Sequence, residues 1–212
     1  MINTSKLLVI GCGGHSRFIL SLADKLRYQV FGLIDLSDSW KKSEIIMGIP
    51  VVGSLSKIEL QYRLGFRSVV IGVGDNNLRK RIFTQLTNLG FSFPNIIHPT
   101  AIIDSTVILG NANVIGPATI IGAEVILGHN NIINSGSIIE HQAIIGNHNH
   151  VSLSATVCGN VTLNDCVFLG ANSTVIEKLS VDDNTTIGAG GTLIQSTQTR
   201  GSTLVGCPAR EV

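Results

Sequence analysis

The chain has 212 residues, 44% of them hydrophobic and 14% charged, with a formal charge of +1. A chain of that size and apolarity buries a sizeable core, so disorder is excluded and two modest domains are the natural organisation. Near-neutrality and 5% aromatics leave no footprint for nucleic acid or an anionic membrane surface. No stretch of about eighteen apolar residues exists to span a bilayer. The apolar run after Lys6 ends in Gly11-Cys12-Gly13-Gly14 and lacks a signal-peptide cleavage pattern, which predicts a cytoplasmic protein. Cys12, Cys158, Cys166 and Cys207 form neither a CxxC motif nor a zinc cluster, so reduced thiols and no metal are expected.

Residues 1–97 read as a Rossmann-like α/β unit. Lys6 to Ile10 makes an apolar strand, Gly11 to His15 a tight turn, and Ser16 to Leu26 a helix with Phe18, Ile19, Leu22 and Leu26 on one face. A second strand, Val30 to Ile34, ends at Asp35. A third, Val69 to Val73, runs into Gly74-Asp75-Asn76-Asn77, where Asn76 or Asn77 can cap a helix that aligns Leu78, Ile82, Leu86 and Leu89. Each strand thus ends in a turn rich in Gly, Asp or Asn, and open α/β sheets bind ligands at those carboxyl ends.

Gly11-Cys12-Gly13-Gly14-His15-Ser16 begins like a dinucleotide fingerprint, but its sixth position is Ser and His15 lies inside the turn, which speaks against a redox dinucleotide. What survives is a helix N-terminus suited to phosphate and Asp35, suited to a ribose hydroxyl. A nucleotide-sugar diphosphate uses both. The plainer alternative is a Gly-rich turn that merely joins strand to helix.

From 98 to 212 the pattern changes to a strict repeat. Ile103, Leu109, Ile115, Ile121, Leu127, Ile133, Ile139, Ile145, Val151, Val157, Leu163, Leu169, Val175, Val181, Ile187 and Leu193 recur every sixth residue, all aliphatic. An amphipathic helix repeats near 3.6 and a strand at 2, so the period fits neither. It fits a triangular coil in which each side is a short strand plus a turn, eighteen residues per coil, for about five coils. A bare scaffold or ice-binding surface is disfavoured, because no regular Thr array is present and histidines interrupt the outer positions. Among these, His98 reads as a structural hydrogen-bonding residue, and His129 and His148 as solvated turn residues.

Stacking at eighteen residues places Ala123 below and Gly159 above His141, neither able to cover it, so a substrate has room to approach. A base and a backbone donor together are what acyl transfer requires. His150 lies nine residues, half a coil, from His141, so the two meet most simply across neighbouring subunits.

A Gly-Gly-His turn in a Rossmann-like half, followed by a hexapeptide β-helix, resembles the bacterial nucleotide-amino-sugar N-acetyltransferases of the bacillosamine and perosamine type, a family that also includes sialic acid O-acetyltransferases. The likeness covers essentially the whole chain and is most specific from Asn134 to Ser152; Leu204 to Arg210 resembles the family's closing segment. The resemblance alone implies a left-handed β-helix, since parallel crossovers generally favour the right hand. It implies that His141 is the general base, with Gln142 and Asn134 completing the catalytic set. It further implies that His150 lies at the thioester of acetyl-CoA, that Gly159, Ala171 and Ala189 line the coenzyme groove, and that Gly13, Gly14, His15, Asp35, Gly74 and Asp75 hold the nucleotide sugar. A homotrimer with sites between protomers follows from the same likeness.

The expected reaction is acetyl transfer to the amine of a nucleotide-linked 4-amino-4,6-dideoxy sugar, for surface polysaccharide or glycan. The competing readings are a sialic acid O-acetyltransferase and an inactive nucleotide-sugar scaffold. One departure bears on the choice. Where relatives carry Glu after the histidine, this chain has Gln142, and a neutral amide orients an imidazole without stabilising its cation.

Overall fold

The computed structural model describes residues 6–40 and 44–212. It divides into two compact units, Met1–Ile96 and Ile97–Val212.

In the first unit, Leu-Leu-Val-Ile forms β1 (Leu7–Ile10), buried along its whole length as a central parallel strand requires. It is followed by α1 (Gly14–Lys25), β2 (Val30–Asp35), β3 (Ile45–Ile46), β4 (Ile49–Ser54), α2 (Ile58–Arg63), β5 (Ser68–Ile71) and α3 (Asn76–Asn88). The sheet order is β3-β4-β2-β1-β5, parallel except for the β3–β4 hairpin. Sequence periodicity misses that hairpin and α2, because β3 has two residues and its turn, Met47-Gly48, takes positive φ at both positions (48° and 81°) without the usual Asn-Gly signal. The cap of α3 also differs from expectation. Asp75, not Asn76 or Asn77, is the N-cap, and its Oδ1 accepts from the Leu78 amide at 2.7 Å.

The order in which strands are added changes side at β1, with β2 and β4 on one side and β5 on the other. The carboxyl ends of β1 and β5 therefore flank the switch point where open sheets leave a crevice. Close packing there has a steric signature. A Cβ on Gly72 would lie 2.5 Å from Ser16 Oγ, and Ser16 instead donates to the Gly72 carbonyl at 3.1 Å.

The second unit is a left-handed parallel β-helix. Each of the sixteen aliphatic positions is the second residue of a two-residue strand; fourteen are buried, while Ile103 and Leu109 in the first coil are partly so. Strands eighteen residues apart pair in register, as in Ile120↔Ile138↔Thr156 and Ile132↔His150↔Phe168. Three parallel sheets result. The first carries Ile102–Ile103 through Thr192–Leu193, the second Ile108–Leu109 through Ser180–Val181, and the third includes Val114–Ile115, Ile132–Ile133 and His150–Val151.

Two features lock the coils. Every sixth residue from Ala112 to Gly190 adopts a left-handed conformation, including Glu124, Gln142 and Asn160. That conformation costs a non-glycine residue roughly 1 kcal/mol, least for Asn, which occupies four of these corners (130, 160, 172, 184). Inside, Asn113, Asn131 and Asn149 stack fully buried. Asn113 Oδ1 accepts from the Asn131 amide (2.9 Å), Asn131 Oδ1 from Asn149 (2.7 Å) and Asn149 Oδ1 from Val167 (2.6 Å), so the buried backbone donors are satisfied.

Candidate active site

The first candidate surface is the carboxyl edge of the α/β sheet. Gly13, Gly14 and His15 follow β1, Asp35 ends β2, and Gly74 and Asp75 follow β5, so the fold brings all six expected nucleotide-sugar residues to one edge. The glycines are informative. Every other glycine in the chain either has a positive φ or would press a Cβ against a neighbour within 4 Å; Gly13, Gly14 and Gly74 do neither. Nothing within the unit forbids a side chain at these three positions, and all three face open space. Glycine at such places serves the close approach of something external.

Asp35 accepts from the Ser37 amide at 2.8 Å, and the Cys12 thiol hydrogen-bonds to its carboxylate. Burial, together with the negative charges of Asp35 and Glu44 and that hydrogen bond, pushes the Cys12 thiol up to about 12, with Arg17 offsetting part of the rise. Cys12 is thus a neutral donor that orients Asp35. Two residues that sequence reading passed over complete the edge. Arg17 Nη1 donates to the carbonyls of Cys12 (3.0 Å) and Gly13 (3.1 Å), and Arg79 Nη1 to those of Val73 (3.2 Å) and Gly74 (3.0 Å). Both are fourth in their helices, a spacing visible in the sequence only once the helix starts are known.

The second surface is the corner after Ile138–Ile139. The His141 imidazole, exposed, lies over Gly159 of the next coil: a Cβ there would be 2.6 Å from Cε1, 2.8 Å from Nε2 and 3.1 Å from Nδ1. The backbone below and above is fixed, since the Gln142 amide donates to Ala123 O (2.8 Å) and the Asn160 amide to His141 O (3.0 Å). The Gln142 side chain turns away from the ring's coil, with Nε2 donating to Glu124 Oε2 at 2.9 Å. Negative charge gathers here. Cys158, in the same corner, is raised by burial, Glu177 and Glu140 in that order.

The other expected residues occupy different places on the coil. His150 is on the third sheet with its ring edge-on to Phe168, centroids 5.2 Å apart. Ala171 and Ala189 stack on the corner after that sheet, a different corner of the triangle from Gly159. Asn134 keeps its Oδ1 on the Ser135 amide at 2.8 Å. His98 Nδ1 meets Thr100 Oγ1 at 2.8 Å, and His129 is exposed with Nδ1 accepting from Asn111, as a structural role requires. His148 is not solvated: it is 7% exposed, and its Nδ1 pairs with Asn130 Nδ2 at 2.9 Å. A cavity of about 650 Å³ at the C-terminal end of the coil is lined by Leu193, Thr197, Ser202, Arg210 and Glu211 among others, and reaches neither His141 nor Gly159.

A sequence comparison with curated proteins finds no match. Residues 6–86 match the PglD N-terminal domain family. Among solved structures, PerB from Caulobacter crescentus, in complex with CoA and GDP-perosamine, superposes with a TM-score of 0.92 at 25% identity, covering 100% of this chain and 99% of that one. The acetyltransferase domain of PglB from Neisseria gonorrhoeae, in complex with acetyl coenzyme A, gives 0.88 at 26% identity over 98% and 99%. The chain is a hexapeptide-repeat acetyltransferase. WeeI from Acinetobacter baumannii, at 17% identity and a TM-score of 0.76 over 98% and 99%, shares the fold. Among the described residues, no helix of this acetyltransferase is long and apolar enough to cross a membrane, and no cluster of three metal-ligating side chains occurs.

Proposed function

We propose that this acetyltransferase moves the acetyl group of acetyl-CoA to the amine of a nucleotide-linked 4-amino-4,6-dideoxy sugar, in the cytoplasm, for a surface polysaccharide such as lipopolysaccharide. The observation that carries this reading is the trio of glycines without an internal reason, Gly13, Gly14 and Gly74, facing the crevice of a sheet that has no intact redox fingerprint. A diphosphate takes the amides of the Gly13-Gly14-His15 turn and of Gly74-Asp75, and a ribose hydroxyl donates to Asp35.

At the β-helix corner, the neutral amine nitrogen attacks the thioester carbonyl. His141 accepts a proton from the adduct, the C–S bond breaks, and the sulfur leaves to be protonated as CoA thiol. Gly159 leaves space for the ring. Gln142 anchors the corner through Glu124, and Asn134 braces the preceding turn. Because Ala171, Ala189 and His150 lie on other faces of the β-helix, they serve the coenzyme of a site completed by a neighbouring protomer, in a homotrimer. Exposed outward isoleucines on the first two sheets, Ile102, Ile120, Ile108, Ile126 and Ile144, flank the His141 corner and suit that contact.

The carboxylates of Glu124, Glu140 and Glu177 near His141 favour an acceptor that arrives as an ammonium, and loses that proton to solvent before it attacks, over one that bears its own carboxylate. The test follows thiol release from acetyl-CoA with UDP-, GDP- and dTDP-linked 4-amino-4,6-dideoxy sugars and, in parallel, free and CMP-linked sialic acid. Turnover of an amino sugar is expected; turnover of only the sialic acids overturns the reading, and none with any acceptor favours a scaffold.

A further inference from the structure

We infer that Arg17 and Arg79 are a matched pair of positioning residues that make the two turns of the crevice fit for an anionic ligand. The inference rests on the nucleotide-sugar reading and adds two residues that act behind the turns.

The pairing is geometric. Each arginine is the fourth residue of the helix that follows a strand, α1 after β1 and α3 after β5. In each case a single Nη1 collects two successive carbonyls of the turn before its own helix, those of residues 12 and 13 for Arg17 and of 73 and 74 for Arg79. Gly72 is held in the same manner by Ser16 Oγ, so three consecutive carbonyls leaving β5 are tied by side chains. Arg79 is further oriented by Asn76, whose Oδ1 accepts from Nη2 at 2.8 Å, and it is only 1% exposed. Arg17 is exposed.

The electrostatic consequence is specific to an anion. Carbonyl oxygens turned toward a phosphate would repel it; gathered onto a guanidinium they are neutralised, and a full positive charge is added behind a helix N-terminus that already favours negative charge. Two of the four clamped carbonyls belong to Gly13 and Gly74, two of the three glycines that face open space for no internal reason. The turns are thus shaped from behind by arginine and cleared in front by glycine.

The experiment uses the full chain. Arg17→Gln and Arg79→Gln are compared with the native protein for KM of the amino-sugar nucleotide, KM of acetyl-CoA and kcat at saturation, and GDP, UDP and dTDP are titrated directly by calorimetry. Each variant should weaken nucleotide binding on the order of tenfold, the loss of one charge-assisted interaction, with acetyl-CoA KM and saturated kcat unchanged. Arg→Lys should recover part of the loss. Arg79 is buried and its loss also touches the core, so the exposed Arg17 gives an independent arm. Native-like nucleotide affinity in Arg17→Gln overturns the inference, as does an equal fall in every kinetic constant together with a lower Tm. If the native protein itself binds none of the three nucleotides, it is the nucleotide-sugar reading that fails.

Discussion

Gly159→Ala tests the site at its tightest contact. The added methyl would stand 2.6 Å from His141 Cε1 and 2.8 Å from Nε2. Carbon atoms rest at about 3.5–4 Å, so the ring must retreat by roughly 1 Å. Misplacing a catalytic group by that distance costs about 10²-fold in rate. The backbone pays no such penalty, because Gly159 does not have a positive φ, and alanine restricts the unfolded chain by an amount worth about 0.4–1 kcal/mol. We therefore expect kcat, followed by thiol release at saturating acceptor, to fall about 10²-fold while Tm holds or rises slightly. The same substitution placed on His141→Ala should cost nothing further, since it acts only through the ring. A native kcat in Gly159→Ala, or an undiminished loss in the double variant, would refute the assignment of His141 as the base seated on Gly159.

His141→Ala alone should lower turnover by roughly 10²–10⁴ with acetyl-CoA binding retained in calorimetry, and full activity would remove it from the mechanism. Cys12, with its thiol at about 12 against an ordinary 9.0, holds about 10³ less thiolate at pH 8; mass spectrometry after iodoacetamide should find Cys207 modified first, and rapid modification of Cys12 would contradict the Asp35 contact. Gln142→Glu replaces a hydrogen bond with two stacked carboxylates, so it should destabilise the fold at pH 7 by up to about 1 kcal/mol for so exposed a pair, seen as a lower Tm, and not at pH 4, where protonation relieves the repulsion; equal loss at both pH values would point elsewhere. Ile126→Asp and Ile144→Asp should convert a sedimenting trimer to monomer and abolish turnover, whereas a native sedimentation profile would mean that this face is not the contact.

The β-helix is legible because its core residues repeat at a fixed step, and the same arithmetic brings Gly159 against His141. What periodicity does not encode is where a side chain turns. Gln142 reads as a neighbour of the histidine, yet a left-handed corner aims it at Glu124. His148 reads as a turn residue among asparagines, and its burial comes from tertiary surroundings. The Asn113–Asn131–Asn149 stack has a sequence signal, the eighteen-residue step, but only beside the inward positions does that step mean a ladder. In the α/β unit the apolar runs of β1, β2 and β5 are legible, whereas β4, whose six residues are broken by Pro50 and Gly53, is not; β3 and α2 are too short to show a period, and Arg17 and Arg79 need helix starts to be recognised as equivalents.

The coil also dictates which genetic changes the protein tolerates. A residue's neighbour above is whichever one lies eighteen places further along, so the site is kept by counting as much as by chemistry. Deleting one residue anywhere between His141 and Gly159 would slide Asn160 against the imidazole in place of Gly159 and turn the following aliphatic positions out of the core. Adding eighteen residues there would keep every column in register and still separate the ring from its glycine by a whole layer. Substitutions at outward positions leave this frame untouched. Lineages of this chain should therefore vary freely in letters along the coil while holding its reading distance fixed, and length change should be confined to the ends or to loops that bulge out at a corner.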